Sequence, residues 1–136
     1  MQPTHIGFPA PLLGDNNLRL NILHQTPGIL ALEKPANILI DTHPWHPDIP
    51  AIIPAIKKQL QANKPELQLF KIEKLHQTYF LDPEISGICL MSTEPKGTQA
   101  LRNAYGSNQL QFTFNILTHP TNLSTEARTC DLPITV

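Results

Sequence analysis

The stretch Tyr79-Phe80-Leu81-Asp82-Pro83-Glu84-Ile85-Ser86-Gly87-Ile88-Cys89-Leu90-Met91 governs how the rest of the chain is read. Asp82-Pro83 is turn chemistry, because Asp bonds its own backbone and Pro fixes φ. Ser86-Gly87 closes the turn. The apolar run that follows, ended by Ser92-Thr93, fits a short buried strand. One carboxylate thus stands at the lip of a sheet, where a nucleophile or general base can work. Taken alone, Asp82 is an ordinary turn acid.

Working outward, Ile29 to Ile40 contains an apolar run, the pair Lys34-Pro35, and a second apolar run. The segment from Ile22 to Ile40 therefore predicts two strands around a Lys34-Pro35 turn. Upstream, residues 1–20 scatter apolar patches between Pro, Gly and Asn and read as an arm or loop. Downstream, Pro44 and Pro47 forbid regular structure between Asp41 and Asp48. Ala51, Ile52, Ala55, Ile56 and Leu60 recur at helical spacing, with Asp48 as the expected cap and Pro54 as the weak point. Leu67 to Ile72 reads as a strand or extended loop. A helix is expected after Ser92 or Thr93, with Glu94 and Pro95 in its first turn and Gly106 beyond its end. Leu110, Phe112, Phe114 and Ile116 alternate with polar residues, the clearest period of two in the chain.

Composition bounds what this chain can be. Its 136 residues suit one domain, and 40% hydrophobic residues suit a packed core rather than a disordered chain. No apolar run nears the roughly 18 residues of a membrane span, and no secretory signal is evident. Cys89 and Cys130 lie too far apart for a metal-ligand spacing and give no disulfide framework, so a cytoplasmic setting is expected. His43 and His46 are three apart, yet the prolines around them exclude a helix and no third ligand is near. No metal site is expected. A net charge of -1 lacks the basic excess common in RNA-binding domains. Lysines 57, 58, 64, 71 and 74 do cluster, diluted by Glu66 and Glu73.

The two central segments together resemble the RluA-type RNA pseudouridine synthases. That family carries a strand ending in Lys-Pro-Ala-Gly, matched here by Lys34-Pro35-Ala36-Asn37. The change from Gly to Asn is mild, since Asn tolerates positive φ. Its second motif, His-Arg-Leu-Asp, two polar residues, then Thr-Ser-Gly, keeps Leu81, Asp82, an acid at Glu84, Ser86 and Gly87. Tyr79, Phe80, Pro83 and Ile85 depart from it. The order and spacing match from about Ile22 to Val136.

The resemblance implies an α+β fold: a mixed, mainly antiparallel bent sheet with flanking helices. Residues 1–20 would be an arm and 21–136 the N-terminal portion of a synthase-like domain, lacking the family's late Arg-bearing segment. A partner chain completing the domain is one way to supply it. The implied activity is isomerisation of uridine to pseudouridine in ribosomal or transfer RNA, with Asp82 as the catalytic carboxylate. No metal or organic cofactor is implied.

Burial raises an Asp pKa, so a neighbouring cation normally keeps such a group ionised. By the same resemblance, Phe80 takes the place of an Arg that fills the gap left by a flipped base. Phe112, with Phe114 as the other candidate, takes that of a Tyr packed on the target base. Without the resemblance both are ordinary strand aromatics. Lys34 takes the place of a Lys that supports the loop near the site. The competing expectation is a catalytically inactive relative that binds RNA or protein, or a truncated fragment.

Overall fold

The computed structural model describes residues 2–120, 126, 127 and 129; Cys130 lies outside them. Strand β1 (His5–Phe8) pairs antiparallel with β2 (Leu18–Thr26), which turns through Pro27-Gly28 into β3 (Ile29–Lys34). After the Lys-Pro segment come α1 (Ile52–Gln61), the single turn α2 (Pro65–Gln68), the two-residue β4 (His76–Gln77), β5 (Gly87–Ser92) and α3 (Pro95–Gly106). The five strands form one antiparallel sheet in the order β1-β2-β3-β5-β4. The α+β expectation therefore stands, as do the strand that opens at Gly87 and the helix that follows it.

Central position explains the composition of β3. Leu30, Ala31 and Leu32 are all buried, as expected of a strand paired on both edges and covered on both faces. Ile52, Ile53, Ala55 and Ile56 of α1 are also buried, giving that helix its apolar stripe and joining it to the same core. At the far side of the sheet, Gly28 has a φ of 87°, the left-handed region that favours glycine. Its carbonyl accepts the Thr93 N–H at 2.9 Å. A Cβ on Gly97 would fall 2.1 Å from that same oxygen, so only glycine lets α3 pack this closely on the hairpin.

Several expectations are corrected. Residues 1–20 are not simply a loop: Ile6 and Phe8 of β1 are buried, a two-residue alternation hidden by the neighbouring Pro and Gly. The hairpin turn lies at Pro27-Gly28 instead of Lys34-Pro35, and Ile38 to Ile40 leave the sheet. Asp48 does not cap α1. The boundary residue is Ala51, and the free N–H groups of Ile52 and Ile53 donate to the carbonyls of Leu39 and Ile40, both at 2.9 Å. Pro54, third in the helix, lacks only an N–H that would have no helical partner there. Leu67 belongs to α2, where Pro65 favours a first helical turn. Neither Ser92 nor Thr93 caps α3; Glu94 bounds it without a side-chain bond, and Gly106 ends it from inside. Finally, Leu110 to Ile116 forms no strand among the described residues. The segment has no regular secondary structure and is mostly exposed.

Candidate functional site

Lys34 organises the region around Asp82. Its side chain is fully buried at the end of β3, and its ammonium donates to the carbonyls of Pro35 (2.9 Å), Ile38 (2.5 Å) and Pro83 (3.2 Å). Three acceptors match the three protons of an ammonium. Burial lowers the Lys34 pKa, while nearby Cys89 and Glu84 act in the opposite sense. The Asn37 N–H adds a bond of 2.6 Å to the Pro83 carbonyl. Asn37 itself has a φ of 68°, the left-handed conformation that glycine or Asn accepts most readily. The Lys-Pro loop and the Asp-Pro turn are thus tied into one unit.

Within that unit the Ile85 N–H donates to the Asp82 carbonyl at 3.0 Å, closing the turn, while Leu81 anchors it in the core. Gly87 opens β5 with a φ of 138°, which L side chains rarely adopt. The Asp82 side chain is exposed. Among the described residues it has no ion-pair partner, and the Lys34 ammonium is spent on carbonyls.

Two groups of aromatic side chains are formed by residues at and near the turn. In one, the Phe80 ring, 43% exposed, lies 4.9 Å from the His43 ring. His43 in turn meets Trp45 edge-on at 5.4 Å and His46 at 5.8 Å. Trp45 is 84% exposed, an unusual state for so large an apolar side chain. The other borders a cavity of about 830 Å³ lined by Tyr79, Leu81, Glu84, Ile88, Phe112 and Phe114, among others. Asp82 adjoins this cavity through Leu81 but is not one of its lining residues.

Tyr79 is fixed there by a 2.5 Å hydrogen bond from its hydroxyl to the Ile88 carbonyl, and burial pushes its pKa up to about 12. Phe112 packs edge-on against Tyr79 at 5.0 Å and Tyr105 at 6.1 Å, and stacks with Phe114 at 6.5 Å.

Lys34 and Asp82 therefore come together through the Pro83 carbonyl, and Phe80 sits beside them. Phe112 reaches the cavity, but from an irregular segment and not from the expected strand. Sequence reasoning passed over Trp45 and weighed His43 only as a metal ligand. The signal was present in His43-Pro44-Trp45-His46-Pro47, where prolines hold a loop that carries three rings. No group of three metal-binding side chains occurs among the described residues. Among the same residues, no helix is long and apolar enough to cross a membrane.

No family model matches the chain, and no curated protein matches it either. Among solved structures, the protein described as Human RNA Pseudouridylate Synthase Domain Containing 4 is similar at 20% identity and a TM-score of 0.46. The match covers 65% of this chain and 30% of that one.

Proposed function

We propose that this chain is an RNA pseudouridine synthase of RluA type, with Asp82 as its catalytic carboxylate. The observation that carries the reading is the tie made by Lys34. One buried ammonium joins the two segments that resemble the family's motifs, 49 residues apart in sequence, at the turn that carries the exposed Asp82.

In the proposed reaction the bond from the ribose anomeric carbon to uracil N1 breaks, the base rotates, a bond to uracil C5 replaces it, and the C5 proton is lost while the freed N1 gains one. Asp82 either attacks the anomeric carbon or takes a proton from the sugar, and both roles require an ionised carboxylate. Phe112 packs on the extruded base and Phe80 fills the space it leaves, with Trp45 and His43 as added stacking surface. The substrate is ribosomal or transfer RNA in the cytoplasm, and the chemistry calls for no metal or organic cofactor.

A second reading is favoured by the lack of a cation on Asp82 among the described residues. In it the same surface binds RNA without catalysis.

The test is to incubate the purified chain with bulk cellular RNA and map pseudouridine. Product with the native chain and none with Asp82→Asn supports the isomerase. Equal product from both removes Asp82 from the mechanism. RNA binding with a steep salt dependence and no product from either supports the second reading.

A further inference from the structure

A second cavity, of about 330 Å³, opens beside α3 and β4, at the end of β5 away from Asp82. Lys74, His76, Thr98, Gln99, Arg102 and Asn103 line it, and no carboxylate does. Its construction is legible in the spacing. Pro95, Thr98, Gln99, Arg102 and Asn103 share one face of α3, at intervals of three and four. The pairing of His76 with Ser92 brings the imidazole to this edge of the sheet, and the Lys74 N–H is fixed to the Thr93 carbonyl at 3.2 Å.

Most of the side chains gathered here are donors, and Lys74, Gln99, Arg102 and Asn103 are exposed. Thr98 is engaged, by the Ser92 hydroxyl at 2.6 Å and the Glu94 carbonyl at 3.2 Å. Among the described residues, the side chains of Lys74, Arg102, Gln99 and Asn103 have no hydrogen-bond or ion-pair partner. The local field is positive. The His76 pKa is lowered by burial first, then by Lys74, Arg102 and Lys57, with Asp41 opposing. The chain as a whole is nearly neutral, so this concentration of cations is local.

We infer that this cavity binds a phosphate group, Arg102 meeting two oxygens through its planar fork and Lys74 adding a point charge. Such charge-assisted bonds to an oxyanion are the strong kind, and carboxamides at Gln99 and Asn103 complete the set of donors. β5 is roughly 17 Å long from Gly87 to Ser92, at about 3.3 Å per residue, with the Asp82 turn before one end and the cavity beside the other. That span suits a phosphodiester more than one nucleotide along a bound strand, not the phosphate of the reacting nucleotide. Binding of phosphate stands on the cavity alone; its assignment to an RNA backbone rests on the proposed function.

The experiment uses the full chain and follows the His76 imidazole by NMR during titration with inorganic phosphate, with chloride at matched ionic strength as control. A parallel titration uses a short oligouridylate. The expected result is a saturable shift with phosphate and not with chloride, and tighter saturation with the oligonucleotide. Arg102→Gln and Lys74→Gln, both at exposed positions, should each weaken binding about tenfold, as loss of a charge-assisted bond implies. Phosphate binding and pseudouridine formation are scored separately on the native chain, so a chain that binds phosphate and makes no pseudouridine loses the isomerase reading alone. Saturation by phosphate without any by the oligonucleotide overturns the backbone assignment. No saturable shift with either probe, or equal shifts with chloride, overturns the site.

Discussion

The junction between Lys34 and Pro83 and the segment 110–117 stand at opposite ends of one scale. At the junction, a buried ammonium, the Asn37 amide and three carbonyls satisfy one another. Along the segment, apolar and polar residues alternate from Leu110 to Ile116, yet the backbone pairs with no described strand, and Ile116 and Leu117 are exposed. Alternation specifies a face. A strand also needs backbone partners, and no pattern within the segment supplies them.

Removing the ammonium is the strongest way to break this contrast. Lys34→Met would keep the apolar stem and leave the Pro35 and Ile38 carbonyls without their donor; Pro83 would retain the Asn37 N–H. Each orphaned acceptor costs roughly 1–3 kcal/mol, so urea unfolding should show a loss of about 3 kcal/mol. A loss under about 1 kcal/mol would mean that the junction is held by something other than Lys34.

Cys89 sharpens the comparison through pH. It is fully buried on β5, directly across from Leu32 of β3, and burial pushes its thiol from 9.0 to about 12. The unfolded chain loses this proton above 9.0 while the folded chain keeps it. Stability therefore falls as pH rises from 9.0 toward about 12, at a slope approaching roughly 1.4 kcal/mol per unit. Tyr79, raised from 10.0 to about 12, acts in the same sense at higher pH. Lys34 acts oppositely, because its lowered pKa lets the folded state release a proton first, and stability from that source rises up to 10.5. Comparing native chain and Cys89→Ala from pH 8 to 10 isolates the thiol. The variant should lose stability less steeply, and parallel curves would show that Cys89 is not sealed from water.

These residues also show what the sequence made legible. Lys34-Pro35-Ala36-Asn37 and Asp82 to Gly87 were readable because each carries a local backbone demand: positive φ at Asn37 and Gly87, a turn at Asp82-Pro83. Their meeting was not readable from local chemistry, since it depends on a bond across 49 residues. The capping of α1 by the carbonyls of Leu39 and Ile40 left no trace in any side chain, so Asp48 was the natural expectation and the wrong one. β1 was hidden because a four-residue strand offers only Ile6 and Phe8 as signal. Position 37 itself can be tested. Asn37→Ala should cost about 1 kcal/mol from forcing an L side chain into the left-handed region, whereas Asn37→Gly should be near neutral. Equal effects would show that the Asn side chain, not its backbone, matters there.

The smallest expected effect falls on the exposed segment. Phe114 touches Phe112 in a stacked arrangement at 6.5 Å and is 53% exposed, so little apolar area leaves water when the chain folds. Phe114→Ser should change unfolding stability by less than about 0.5 kcal/mol, the range for surface positions without a specific role. The near-neutrality is what makes the variant useful. Because the fold is intact, any loss of the proposed RNA binding can be assigned to the missing ring, where stacking of a base on an aromatic contributes roughly 1–3 kcal/mol. A stability loss above about 1 kcal/mol would instead mean that Phe114 is buried against a partner in solution. The alternation of Leu110 to Ile116 would then mark a true strand, and the contrast with the Lys34 junction would vanish.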